Sequence, residues 1–193
     1  HDNVTVTGEV SSTSTPVQIP TKTPGNVVTK TLSLQNVPSG TSLEIMDASA
    51  EPENSVDNLI FSIPTNETAN YDPLNLTVNM PNTTVTLAGN SGKAAYGEVT
   101  ASTAKNTLIL SSGVTVEKVF VKMGNIRVNS GAVLSAIERG EGNTEQIIIY
   151  KEEGATVSTI LGENIVVVDA TVDDLQEICG TGGEYTLNLA LKG

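Results

Sequence analysis

The stretch from Leu108 to Val119, LILSSGVTVEKV, is followed from Ile126 to Ile137 by IRVNSGAVLSAI, and the two superpose at a single offset of 18 residues. Leu108, Leu110, Gly113, Val116 and Val119 fall on Ile126, Val128, Gly131, Leu134 and Ile137. A third copy, IIIYKEEGATVSTI, supplies Ile147, Ile149, Gly154, Val157 and Ile160 in the same order. A fourth, VVVDATVDDL, supplies Val166, Val168, Val172 and Leu175 without the glycine. Units of about 20 residues cannot bury their own apolar faces and are stable only when stacked on one another. The repeat therefore restricts the fold more than any other feature of the chain.

Asparagine marks the same rhythm. It precedes an aliphatic or β-branched run at Asn58, Asn82, Asn106, Asn125, Asn143 and Asn164, at intervals of 24, 24, 19, 18 and 21. Asn tolerates the left-handed backbone of a sharp corner and can bond its own backbone there, so these six positions read as a corner ladder. Gly113, Gly131 and Gly154 read as a second one, at turns that need positive φ or close backbone approach. Within each copy the apolar residues recur at every second position and Val, Ile and Thr dominate, which is strand periodicity.

These features predict an all-β chain, a right-handed parallel β-helix (β-solenoid) with coils of about 18–24 residues. An antiparallel sandwich is the competing arrangement, since it too has short strands and frequent turns. Residues 1–57 are interrupted by Pro16, Pro20, Pro24 and Pro38 and read as a β-rich N-terminal region, either a cap or irregular first coils. The acidic DASAEPENSVD, from Asp47 to Asp57, reads as a linker, and 58–170 as the solenoid. Residues 171–193 read as a short helix followed by the strand YTLNLAL, a cap or the start of a further solenoid. Thr171 and Asp174 resemble a capping pair, and Gly180 is placed to stop the helix. The rival assignment makes Val172 and Leu175 a strand of the fourth coil. Helix, Gly-Gly turn and strand together resemble the unit that opens pectate-lyase-like β-helices, which implies that the chain would continue beyond this point.

The composition removes several kinds of chemistry. With one Cys and one His, Cys179 and His1, the chain cannot build a Cys/His pair, a Ser/His/Asp triad or a zinc site of several His and Cys ligands. A net charge of −12 repels phosphate backbones, so nucleic acid is not an expected partner. The acidity reads as a solubilising surface, with calcium binding as the sharper alternative. No run of about 18 apolar residues is present, so no transmembrane segment is expected. Aromatics are 3% of the chain, with no Trp, so any glycan would be held mainly by hydrogen bonds. No cofactor, metal ligand or catalytic residue is expected.

Outward positions in the first strand of each coil are read as Ile109, Arg127, Ile148 and Val167. Three of the four are apolar, so this face either packs under another part of the chain or marks a partner surface. Lys118, Phe120 and Lys122 read as a mixed outward stripe of the second sheet. A polysaccharide lyase would need clustered acids for calcium, or a base for the α-proton, on one face. Glu117, Lys118, Lys122, Arg127, Glu138 and Arg139 are scattered along the repeats instead.

The segments LNLTVNMPNTTVTLAG, NTLILSSGVTVEKVFVKMGNIRV and TVDDLQEICGTGGEYTLNL resemble, in style and rhythm, the adhesin-like β-helical repeat proteins of Gram-negative gut bacteria. The resemblance covers about 74–192 and involves no catalytic motif. It implies an extracytoplasmic protein, secreted or attached to the cell surface, that presents a rigid face to glycans or to a protein partner without enzymatic chemistry. A carbohydrate-active β-helix, lyase or hydrolase, or a noncatalytic module of one, is the alternative.

Overall fold

The structure is a computed structural model and describes residues 3–7, 17–19, 29–35, 42–47, 57–63, 74–79, 83–89, 94–101, 106–142 and 145–169. Its elements, in chain order, are β1 (Asn3–Thr7), β2 (Val17–Ile19), β3 (Thr29–Gln35), β4 (Ser42–Asp47), β5 (Asn58–Ile63), β6 (Leu74–Asn79), β7 (Thr84–Gly89) and β8 (Ala94–Ala101). Then follow β9 (Asn106–Leu110), β10 (Val114–Val121), β11 (Gly124–Val128), β12 (Val133–Arg139), β13 (Ile147–Lys151), β14 (Thr156–Leu161) and β15 (Ile165–Asp169). No helix occurs among the described residues. The expected helix and strand of 171–193 lie outside them, as do residues 48–56 of the expected linker.

Odd-numbered strands form one eight-stranded sheet, β1-β3-β5-β7-β9-β11-β13-β15, and even-numbered strands form a seven-stranded sheet, β14-β12-β10-β8-β6-β4-β2. Every registered pair is parallel, which rules out the antiparallel sandwich for the described residues. Each strand inside a sheet thus pairs with the strands two before and two after it, and the chain changes sheets at every connection. The strands drawn from 1–57 continue the same two sheets, β3 pairing with β5 and β4 with β6.

One apolar core is built from the inward rows of both sheets. Leu59, Phe61, Val85, Leu87, Leu108, Leu110, Ile126, Val128 and Ile149 face inward from the first sheet. Leu43, Ile45, Leu76, Val78, Tyr96, Val99, Val116, Val119, Leu134 and Ile137 face them from the second. Burying side chains of this size contributes about 1.5–3 kcal/mol each, which no single coil could gather alone. Tyr96 adds a polar tie between the sheets, its hydroxyl donating to the Ala88 carbonyl at 2.8 Å and approaching that of Phe61 at 3.3 Å. Burial pushes this phenol far above its ordinary pKa, and the hydrogen bond to Ala88 offsets only part of that rise.

The turns between odd and even strands stack in a column. Val114 N–H donates to the Ser111 carbonyl, Ala132 to Asn129 and Ala155 to Glu152, closing three successive four-residue turns. Gly113, Gly131 and Gly154 occupy the third place of each, at φ 78°, 78° and 80°, the position that type II turns reserve for glycine. Gly113 N–H donates to the Gly131 carbonyl at 3.3 Å and Gly131 N–H to the Gly154 carbonyl at 3.2 Å, so each turn rests on the next.

Register in the later repeats departs from the sequence alignment. Ile126 pairs with Ile149, where the repeat set it over Ile147, because the turns align Gly131 with Gly154 and the strand must follow. In the last strand Ile149 pairs with Val167, and Ile165 packs on the core. Val167 therefore belongs to the inward row, against the expectation that it faced out, since a slip of one residue exchanges the two faces. At 37% exposure it lies on β15, which among the described residues pairs on one side only. Ile160 and Leu161 on β14 are likewise exposed at this end. The inward row of Leu110 and Val128 ends in polar residues, Lys151 and Asp169, whose side chains pair at 3.2 Å.

Candidate interaction faces

The outer face of the eight-stranded sheet carries two continuous rows. One runs Ile60, Thr86, Ile109, Arg127, Tyr150, Val168, and the other Asn58, Thr84, Thr107, Asn125, Ile148, Val166. Of the four residues expected on one face, Ile109 and Arg127 are direct cross-strand neighbours, Ile148 stands in the adjacent row, and Val167 is on the opposite side. Tyr150, which the repeat did not single out, is the neighbour of Arg127; it is buried, yet lies outside the apolar core.

Arg127 reaches across to the turn column, its Nη2 standing 2.8 Å from Glu152 Oε1, while Glu152 Oε2 accepts the Ser130 N–H at 2.8 Å. Burial by itself would raise the Glu152 carboxyl, but the hydrogen bonds from Arg127 and Ser130 and the guanidinium charge outweigh it, holding the group below the ordinary carboxylate range. The ion pair locks strand β11 to the turn after β13. Arg139 does comparable work at the opposite corner, donating to the carbonyls of Glu145, Glu163 (2.8 Å) and Asn164 (3.1 Å).

The described asparagines do not all stand in one row. Asn58 and Asn125 share the outer row just described, Asn106 opens β9 opposite Gly124, and Asn82 and Asn143 lie outside the described residues. Asn164 alone has positive φ, 57°, among described residues other than glycine. The asparagine intervals follow the coil length, but among the described residues the positive-φ positions at these corners are Gly124, Gly142 and Gly162 besides Asn164.

The outer face of the seven-stranded sheet is shaped by a bulge. Leu74 pairs with Tyr96 and Leu76 with Val99, so Gly97 and Glu98 stand opposite the single Asn75. Asn75 Oδ1 accepts the freed Glu98 N–H at 2.8 Å. Once introduced, the extra residue is inherited in register: Val116 pairs with Tyr96 and Leu134, and Val119 with Val99 and Ile137. Bulges bend a strand and turn extra side chains outward, here Glu117 with Lys118 beside Glu98. Lys118 forms an ion pair with Glu138 and places its ammonium 4.1 Å from the centre of the Phe120 ring. Next to this pair lies a shallow open cavity of about 290 Å³, lined by Glu98, Thr100, Phe120, Lys122 and Gly140.

Among the described residues, no group of three or more His, Cys, Asp or Glu side chains stands close enough to hold a metal ion, and no helix is long and apolar enough to cross a membrane. Compared with protein-family models, curated proteins and solved structures, the chain matches none.

Proposed function

We propose that this chain is a right-handed parallel β-solenoid of the adhesin-like kind, extracytoplasmic and either secreted or held at a bacterial cell surface, which binds a glycan or a protein on a host or microbial surface without transforming it. Support for the solenoid comes from the strict odd-even alternation of strands between two parallel sheets and from the stacked glycine turns. The hand follows from the near-universal right-handed crossover between parallel strands. The resemblance in repeat style to the adhesin-like proteins of Gram-negative gut bacteria supports the location and the surface role.

The observation that carries the binding reading is the partly exposed Phe120 ring beside an open cavity on a ladder-braced sheet. An aromatic wall with a few convergent polar groups is the usual make-up of a ligand site, and an extended rigid face suits a polymer. A second reading, a carbohydrate-active β-helix, is favoured by Glu98 and Lys122 lining that same cavity, an acid and a base on one face. The test is incubation with plant, mucin and microbial polysaccharides, with and without calcium, scoring both binding and the release of new chain ends. Binding without chain-end release is the expected result; chain-end release would replace the adhesin reading with the enzymatic one.

A further inference from the structure

We infer that the open edge of β14 is the docking surface of the chain's own residues 174–179, laid on it in parallel as the next strand of the seven-stranded sheet. β14 stands at the end of that sheet and pairs with β12 alone among the described residues. Its inward residues show what the edge lacks. Tyr96 and Val99, Val116 and Val119, and Leu134 and Ile137 lie on strands with a neighbour on each side, and all six are 0% exposed. Val157 and Ile160 continue the same two rows on β14, yet Val157 is only partly buried and Ile160 is 41% exposed. The core therefore ends in an apolar mouth, and burying it favours an apolar cover.

The sequence holds one further copy of this strand. In register, residues 95–100, 115–120, 133–138 and 156–161 read AYGEVT, TVEKVF, VLSAIE and TVSTIL. In the first three, the second and fifth residues belong to the core and neither residue between them does. Residues 174–179, outside the described residues, read DLQEIC, with Leu175 and Ile178 in the second and fifth places and Gln176 and Glu177 between them. The spacing agrees independently. Ile147 pairs with Ile165, a step of 18, and Thr156 to Asp174 is 18 again. Four residues join Lys151 to Thr156 and four join Asp169 to Asp174, so the chain leaving β15 has the length of connection that β13 uses. Val172 stands where Gly154 holds φ 80°, a backbone that β-branched residues resist, so the column of type II turns ends at Gly154 and strand pairing carries the register onward. Docked in this way, Leu175 covers Val157 and Ile178 covers Ile160. The strand takes the place of the helix expected over the same residues: the helix sets Cys179 beside Leu175 and Ile178, whereas the strand turns it outward next to Leu161. The edge is then filled by the chain itself and is not offered to a second copy.

Leu161→Cys tests the pairing in the full chain, because Cys179 is its one native thiol. Leu161 is 44% exposed, so the substitution leaves the core intact. Adjacent strands lie about 4.8 Å apart, within the Cα span of a disulfide. In a glutathione redox buffer, mass-spectrometric peptide mapping should find the introduced thiol joined to Cys179 within one monomer. Thr156→Cys, about 16 Å back along the strand, should form the link at least about tenfold less. Ile178→Asp added to Leu161→Cys should abolish it, and in the unsubstituted chain Cys179 should meet a thiol reagent nearly as fast in buffer as in urea. No link in Leu161→Cys, a link formed equally by Thr156→Cys, or one that survives Ile178→Asp overturns the pairing. Protection of Cys179 from the reagent also overturns it, as the buried face of a helix would give. A disulfide between two chains overturns it as well and makes a second copy the occupant of the edge.

Discussion

Replacing Gly131 by alanine tests the stacked turns most directly. At φ 78° a residue with a Cβ pays about 1–2 kcal/mol for its left-handed backbone. The new Cβ would also stand 3.2 Å from Ser112 Oγ in the neighbouring turn, close enough to force a shift. Crowding in a packed site adds roughly 1 kcal/mol. The comparison is Gly142→Ala, where φ is 87° but nothing lies within 4 Å of the added atom, so only the backbone cost applies. Urea unfolding followed by far-ultraviolet circular dichroism should show Gly131→Ala losing about 2–3 kcal/mol, a fall in Tm of roughly 4–12 °C for a chain of this size, and Gly142→Ala about half as much. Adding Ser112→Gly should return the crowding part alone. Equal losses at the two glycines, or a double variant no better than Gly131→Ala, would refute the turn-on-turn stacking.

Val119 is fully buried between Val99 and Ile137, so Val119→Asp should cost at least about 3 kcal/mol or prevent folding, whereas an unchanged unfolding curve would place the inward row elsewhere. Glu152→Gln should cost about 1–2 kcal/mol at neutral pH. The native Glu152 carboxyl lies below its unfolded value of about 4.3, so its contribution is complete above that pH and is lost as pH falls through the native value; the variant's acid limb should accordingly be shallower in urea melts taken across this range. Tyr96→Phe should lose about 1–2 kcal/mol by leaving the Ala88 carbonyl unpaired. The native phenol is raised, so its contribution is present below about pH 10 and disappears as pH rises beyond it; spectrophotometric titration should show one of the four tyrosines ionising only on unfolding.

The two outer faces differ in how their charges are paired. On the eight-stranded sheet the Arg127–Glu152 pair fastens strand to turn, beside the buried Tyr150. On the seven-stranded sheet Lys118 and Glu138 are paired, while Glu98 and Lys122 have no ion-pair partner among the described residues.

The offset from Leu108–Leu110 to Ile126–Val128, the β-branched alternation and the Ser-Gly turn determined by themselves that the chain is made of strands stacked repeat on repeat, because periodicity and turn chemistry act within a few residues. Register follows the sequence repeat only where the connections keep one length. The repeat puts Ile147 in the place that Ile149 takes and turns Val167 outward, because the stacking of Gly131 on Gly154, which sets the third coil, is a contact between turns 23 residues apart. The three-residue step from Val116 to Val119 was visible in the sequence, but only pairing with Tyr96 and Val99 shows it to be a bulge passed from coil to coil. Glu98, Phe120 and Gly140 carry no shared motif and stand about one coil apart; the parallel ladder alone brings them to one cavity, since it converts a separation of some twenty residues into neighbouring positions on one sheet face.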